Sequence, residues 1–173
     1  MREANLSIEQ DVLLDEFQTL QTLSISLQHL QGSIVERMAR SFAHFNWVGF
    51  YMLDPADNQI LVVGPFVGDP TPHVRIPIGK GICGAAVENR ETLIVDDVGS
   101  DPRYLSCSLE TKSEIVVPIF ANGAVVGEID IDSHAPAAFK ERDRAFLEEV
   151  ASLVGRFIED HPAANSPLVP AEQ

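Results

Sequence analysis

Cysteine is scarce in this chain: two among 173 residues, Cys83 and Cys107. Two thiols make a poor structural staple, and a chain this long buries roughly 70% of its unfolded surface without one. Basic side chains are also few, 12 against 26 acidic, for a formal net charge of −14. They are scattered, whereas nucleic acid demands clustered Lys and Arg, so DNA and RNA are disfavoured as partners. An acidic chain also avoids anionic surfaces. Long hydrophobic runs are missing: none approaches the roughly 18 consecutive apolar residues of a membrane span. The start, Met1-Arg2-Glu3-Ala4-Asn5, lacks the apolar core of a signal peptide. These absences predict a cytoplasmic protein with no membrane or nucleic-acid partner. With 45% hydrophobic residues, the chain has the make-up of one globular domain, with room for an extra helical arm. Composition leaves the two thiols open between inert core residues and chemistry.

The first 45 or so residues read as helices. Leu13, Phe17, Leu20 and Leu23 recur at helical spacing, and Ser7 with Glu9 and Gln10 marks a start. Gly32-Ser33 is expected to break the run before a second helix with Ile34, Val35, Met38, Ala39 and Phe42 on one face. The middle reads as strands: Trp47 to Leu53, Ile60 to Val63, Val74 to Ile78, Leu93 to Val95, Glu114 to Phe120 and Ala124 to Asp132. Pro118 suggests an edge or a bulge, and Ala121-Asn122-Gly123 a hairpin turn. One or two helical turns are expected from Ile82 to Asn89. A last helix carries Phe146, Leu147, Val150, Leu153, Val154, Phe157 and Ile158 as one stripe. Hairpin-linked strands between helices predict an α+β fold with an antiparallel sheet, not a doubly wound parallel one. The expected organisation is a helical arm over 1–30, the domain over 31–160 and a flexible tail over 161–173.

Gly79-Lys80-Gly81-Ile82-Cys83-Gly84 matches the dinucleotide pattern GxGxxG. The next strand follows too soon for the helix of a βαβ unit, which takes about 30 residues. The glycines are read instead as permitting a tight turn and a close backbone approach. A helix N-terminus beside Cys83 is expected to lower that thiol's pKa.

Two places carry candidate chemistry. Cys107 sits in a polar connection, Ser106-Cys107-Ser108-Leu109-Glu110, and reactive groups are often placed on loops. In Gly127-Glu128-Ile129-Asp130-Ile131-Asp132-Ser133, strand alternation sends Glu128, Asp130 and Asp132 to one face. Such carboxylates repel one another unless a cation sits between them or one holds a proton. Glu114 on the hairpin partner can join them. The alternatives are a solvated outer face, a weak calcium or magnesium site, or a seat for an ammonium group. Trp47 and Tyr51 share one strand face and carry polar handles, so they are candidates to meet a ligand. His134 is assigned no role.

Read in order, Asn46-Trp47-Val48-Gly49-Phe50-Tyr51, Gly64-Pro65-Phe66, Arg75-Ile76-Pro77, Gly79 to Gly84, Cys107, Ser113 to Pro118 and Asp130-Ile131-Asp132-Ser133 resemble the free methionine-(R)-sulfoxide reductases, enzymes built on a single GAF domain. The resemblance covers roughly residues 30 to 158. It implies a six-stranded antiparallel sheet between helices and, usually, a homodimer. It implies that Cys107 is the attacking thiol, that Glu114, Asp130 and Asp132 hold the substrate's ammonium group and assist proton delivery, and that Cys83 matches a further cysteine of the family. Many members carry another cysteine ten residues before Cys83, where this chain has His73. Recycling is then expected through Cys83 or an external thiol. Glu128 also stands where an apolar residue is expected.

The chemistry implied is reduction of free methionine-R-sulfoxide. The Cys107 thiolate attacks the sulfoxide sulfur, a carboxyl group delivers a proton, and Cys107 becomes a sulfenic acid. Cys83 condenses with it to a disulfide, which a thioredoxin-type reductant reopens. No metal or organic cofactor is required. The competing expectation is a non-catalytic GAF sensor that binds a small molecule, since fold alone does not fix function.

Overall fold

Ser7 opens the first helix. Its side chain accepts from the Gln10 backbone N–H at 3.2 Å, and Gln10 Oε1 accepts from the Ser7 N–H at 2.9 Å. This reciprocal cap starts α1 (Ile8–Leu23). The computed structural model describes residues 6–106 and 108–162, so Cys107, residues 1–5 and 163–173 of the tail lie outside the described residues. The expected break at Gly32-Ser33 is not where the helices part. The chain leaves α1 at Ser24, and Ser26 caps α2 (Leu27–Ser41) by accepting from the His29 N–H at 3.1 Å. Gly32 lies inside α2, where it costs only about 1 kcal/mol relative to alanine. Burial of Leu30, Ile34, Val35 and Met38 along one face offsets that.

The strands are β1 (Trp47–Asp54), β2 (Asp57–Val67), β3 (Arg75–Pro77), β4 (Leu93–Val95), β5 (Ser113–Ala121) and β6 (Ala124–Ser133). They form one six-stranded sheet in the order β3-β2-β1-β6-β5-β4, with every neighbouring pair antiparallel. The α+β architecture expected from the sequence is the one observed. Asn122 (φ 50°) and Gly123 (φ 76°) turn the β5–β6 hairpin, the double positive φ of a type I′ turn. Pro118 sits in the middle of β5, but β4 pairs only with Glu114 to Val116. At Pro118 the outer side of β5 is therefore open, and its missing N–H costs no ladder bond.

The sheet has two unlike faces. On one, α1, α2 and α4 (Glu141–Asp160) bury Phe17, Met38, Phe50, Ile129, Ile131 and Phe146 in the large core. On the other, α3 (Gly81–Asn89) covers a smaller cluster with Tyr51, Leu61, Ile82 and Val116. Alternation along β6 sends Ile129 and Ile131 into the large core and Glu128, Asp130 and Asp132 under α3. Among the described residues no helix is long and apolar enough to cross a membrane.

Candidate active site

The sheet register assembles three rows beneath α3. Trp47, Asp132 and Glu114 lie side by side on β1, β6 and β5. Gly49, Asp130 and Val116 form the next row, and Tyr51, Glu128 and Pro118 the third. Glu114, Glu128, Asp130 and Asp132 are all at most 5% exposed. Gly49 faces Asp130 with no side chain of its own. A Cβ there would run into the Trp47 ring, which lies flat over the glycine and stacks on Phe66 at 5.3 Å.

The glycine-rich turn puts Cys83 against these acids. Gly79 (φ 81°) and Gly81 (φ 67°) adopt the left-handed backbone that glycine alone takes cheaply. A Cβ on Gly84 would sit 2.6 Å from the Pro77 carbonyl oxygen. The motif thus serves a tight turn and a close approach, as expected. It brings Cys83 Sγ to 4.0 Å from Glu114 Oε1. Ligand atoms of Cys83, Glu114 and Asp130 all lie within 4.8 Å of one another.

The electrostatics overturn one expectation. The Cys83 thiol is not activated by the helix start. Burial, followed by the charges of Asp130, Glu128 and Glu114, pushes its pKa well up. Burial also raises the carboxyls. Glu114, Glu128 and Asp132 go well above the ordinary range, each further raised by the Asp130 charge. Asp130 rises only to about 6, because contacts with Cys83 and Glu114 counter part of its desolvation. Of the four, Asp130 is therefore the one that ionises most readily. Among the described residues no Lys or Arg forms an ion pair with any of the four. Asp130 Oδ1, Asp132 Oδ1 and both Glu128 oxygens have no hydrogen-bond partner, an arrangement that costs stability.

Two loops wall the site. Trp47 Nε1 donates to the Asp69 carbonyl at 3.1 Å and the Tyr51 hydroxyl to the His73 carbonyl at 2.8 Å. Both aromatic handles thus hold the segment between β2 and β3. The His73 ring Nε2 lies 3.1 Å from the Ser106 carbonyl oxygen, tying that segment to the connection that leads into Cys107. Leu105 packs directly on Gly81. Tyr51, His73, Cys83, Leu105, Glu114 and Asp130 line a cavity of about 10 Å³, room for about one water. Of the expected site residues, Cys83, Glu114, Asp130 and Tyr51 meet at this cavity. Trp47 and Asp132 share the row of Glu114 but do not line the cavity. Cys107 falls outside the described residues; of its chain neighbours, Ser106 meets the His73 ring through its carbonyl, and the Ser108 carbonyl accepts from the Tyr104 hydroxyl at 3.4 Å. Sequence reasoning left His73 out as a wall residue, and only the ring's reach to a loop 33 positions away reveals it. It also left Glu128 off the site, although the strand alternation already placed it on the acidic face.

A larger groove of about 970 Å³ runs between α2 and the β1–β2 hairpin. It contains no cysteine, and its charged lining groups Asp54 and Arg75 bind each other at 2.7 Å. It offers nothing for redox or acid–base chemistry.

The sequence matches the GAF domain family over residues 24–159. It is 44% identical to the free methionine-R-sulfoxide reductase of Saccharomyces cerevisiae over 127 residues, covering 72% of this chain and 70% of the yeast protein. The X-ray structure of free methionine-R-sulfoxide reductase from Neisseria meningitidis in complex with its substrate superimposes with a TM-score of 0.84. It is 31% identical and covers 92% of this chain and 96% of that one. The reduced form of the Staphylococcus aureus enzyme gives a TM-score of 0.80 at 33% identity, covering 86% of this chain and 94% of that one. The chain belongs to the free methionine-R-sulfoxide reductase family of GAF-domain proteins.

Proposed function

We propose that this chain reduces free L-methionine-(R)-sulfoxide to methionine at the cavity beneath α3. It is an oxidoreductase that works through its two cysteines, by a sulfenic acid and a disulfide. The observation that carries the site assignment is the buried carboxyl row beside Cys83, which among the described residues pairs with no Lys or Arg. The α-ammonium group of a free amino acid supplies the cation, with Asp130 as the anion that meets it and Glu114 and Asp132 around it. Trp47 and Tyr51 form the apolar wall for the thioether end.

The balance is two thiols and one sulfoxide to one disulfide, one thioether and one water. Cys107 acts as nucleophile at the sulfoxide sulfur. A protonated member of the carboxyl row gives its proton to the departing oxygen. Methionine leaves and Cys107 carries the sulfenic acid. Cys83 attacks that sulfur, its proton passes by way of Asp130 to the departing hydroxyl, and water leaves. A thioredoxin-type dithiol then reopens the disulfide. The thioredoxin-type partner and a homodimeric state rest on the family resemblance. A sensor of anionic phosphates is disfavoured, because the pocket floor is itself acidic.

The test mixes reduced protein with free methionine-R-sulfoxide and reads methionine and a Cys83–Cys107 disulfide by mass spectrometry. Cys107→Ser abolishes turnover. Cys83→Ser leaves one turnover per chain and stalls. Full activity in Cys107→Ser would sink the assignment of the nucleophile.

A further inference from the structure

The grouping of a thiol with two carboxyls is unusual for a seat that serves only an ammonium ion, which needs oxygen acceptors and no sulfur. Three ligand atoms, Cys83 Sγ and one oxygen each from Glu114 and Asp130, converge within 4.8 Å of one another. Around a tetrahedral zinc ion, with Zn–S of about 2.3 Å and Zn–O of about 2.1 Å, such atoms lie roughly 3.5 Å apart. The Cys83–Glu114 separation of 4.0 Å is already close to that. Asp130 is 3% exposed, lines the cavity, and keeps Oδ1 without a hydrogen-bond partner. The cavity of about 10 Å³ suits an ion better than an amino acid.

We propose that Cys83, Glu114 and Asp130 form a site for a thiophilic divalent cation of the zinc class, and that such a cation seated there inhibits the enzyme by displacing the substrate's ammonium group. Sulfur selects zinc over calcium or magnesium, which take six or more oxygens or near-octahedral water. Three protein ligands leave the fourth tetrahedral position to water. The Cys83 and Glu114 protons leave to solvent as the cation enters. The cation also occupies the thiol that closes the disulfide. It is therefore a ligand of the reduced form alone, because sulfur held in a disulfide is no thiolate. The inhibition and redox consequences rest on the function proposed above; the metal site itself does not.

The experiment titrates Zn²⁺ into the reduced chain against a chromophoric chelator, and in parallel titrates Co²⁺ while recording the near-ultraviolet thiolate-to-cobalt band. The expected result is one ion per chain with that band present. Cys107→Ser retains both. Cys83→Ser loses the band and weakens binding by at least about tenfold. Asp130→Asn, which leaves the thiol in place, keeps a band but binds more weakly, so a folding defect in one variant does not decide the matter. In assays Zn²⁺ raises the apparent KM for methionine-R-sulfoxide. The proposal is overturned if the reduced chain binds no ion, if Cys83→Ser binds as well as the parent, or if Cys107→Ser loses the ion. Zinc binding without turnover would instead sink the functional reading and leave the metal site standing.

Discussion

Asp130 holds a charge in a place that disfavours it, and removing that charge is expected to make the protein more stable while abolishing the proposed activity. Its pKa is raised from 3.8 to about 6, chiefly by burial. For an acid whose native pKa is raised, the stability is fully present below the unfolded value and is lost as pH climbs through the native one. The window here runs from 3.8 to about 6. At about 1.4 kcal/mol per pH unit the cost is ~3 kcal/mol, complete by neutral pH. That is a sizeable part of the roughly 5–15 kcal/mol that keeps a domain folded. Asp130→Asn removes the titration. Urea unfolding of both proteins near pH 4 and near pH 7.5, without substrate, isolates the effect. A constant difference from amide packing cancels between the two pH values. The expected outcome is a variant that gains on the parent by about 3 kcal/mol between them. Methionine-R-sulfoxide then raises the midpoint of the parent at pH 7.5 and leaves the variant unmoved. A stability difference that does not change with pH would refute the claim that burial, rather than packing, sets the state of Asp130.

Glu128→Gln behaves alike in direction: it raises the unfolding midpoint at neutral pH and not near pH 4, because burial lifts that carboxyl well above its ordinary range. Gly155→Ala would in an open helix stabilise by about 1 kcal/mol. Here a Cβ would press into the Phe120 carbonyl, so we expect a net loss of roughly 2 kcal/mol, read by denaturant unfolding. Adding His73→Cys to Cys83→Ser puts a thiol at the position whose ring touches the Ser106 carbonyl, next to Cys107. Multiple turnovers should return with a dithiol reductant, and mass spectrometry should find a 73–107 disulfide; a double variant that still stops after one turnover refutes this.

Period-two alternation makes Glu128, Asp130 and Asp132 legible in the sequence as one face, since only the pleat is needed to place them. Helix α4 is equally legible from its stripe of Phe146 to Ile158. The helix boundary at Ser24–Ser26 is not, because a glycine in the register of a buried stripe looks like a stop when its packing is unknown. The sign of the Cys83 shift is also hidden. A helix start favours a thiolate, but the acids that outweigh it come from β5 and β6, 31 residues and more along the chain. Neither the link between His73 and Ser106 nor the flat seat of Trp47 on Gly49 leaves any periodic trace, since each depends on where the strands bring distant residues together.

A pocket with room for about one water cannot admit methionine sulfoxide as it stands. If the substrate binds there as proposed, binding begins with a rearrangement of the wall that His73 and Leu105 help to build. If only a fraction of molecules is open at any moment, the apparent dissociation constant is the intrinsic one divided by that fraction. Loosening the wall then tightens apparent binding even where it removes a contact. The observed association rate levels off at high substrate, at the rate of opening, instead of rising without limit.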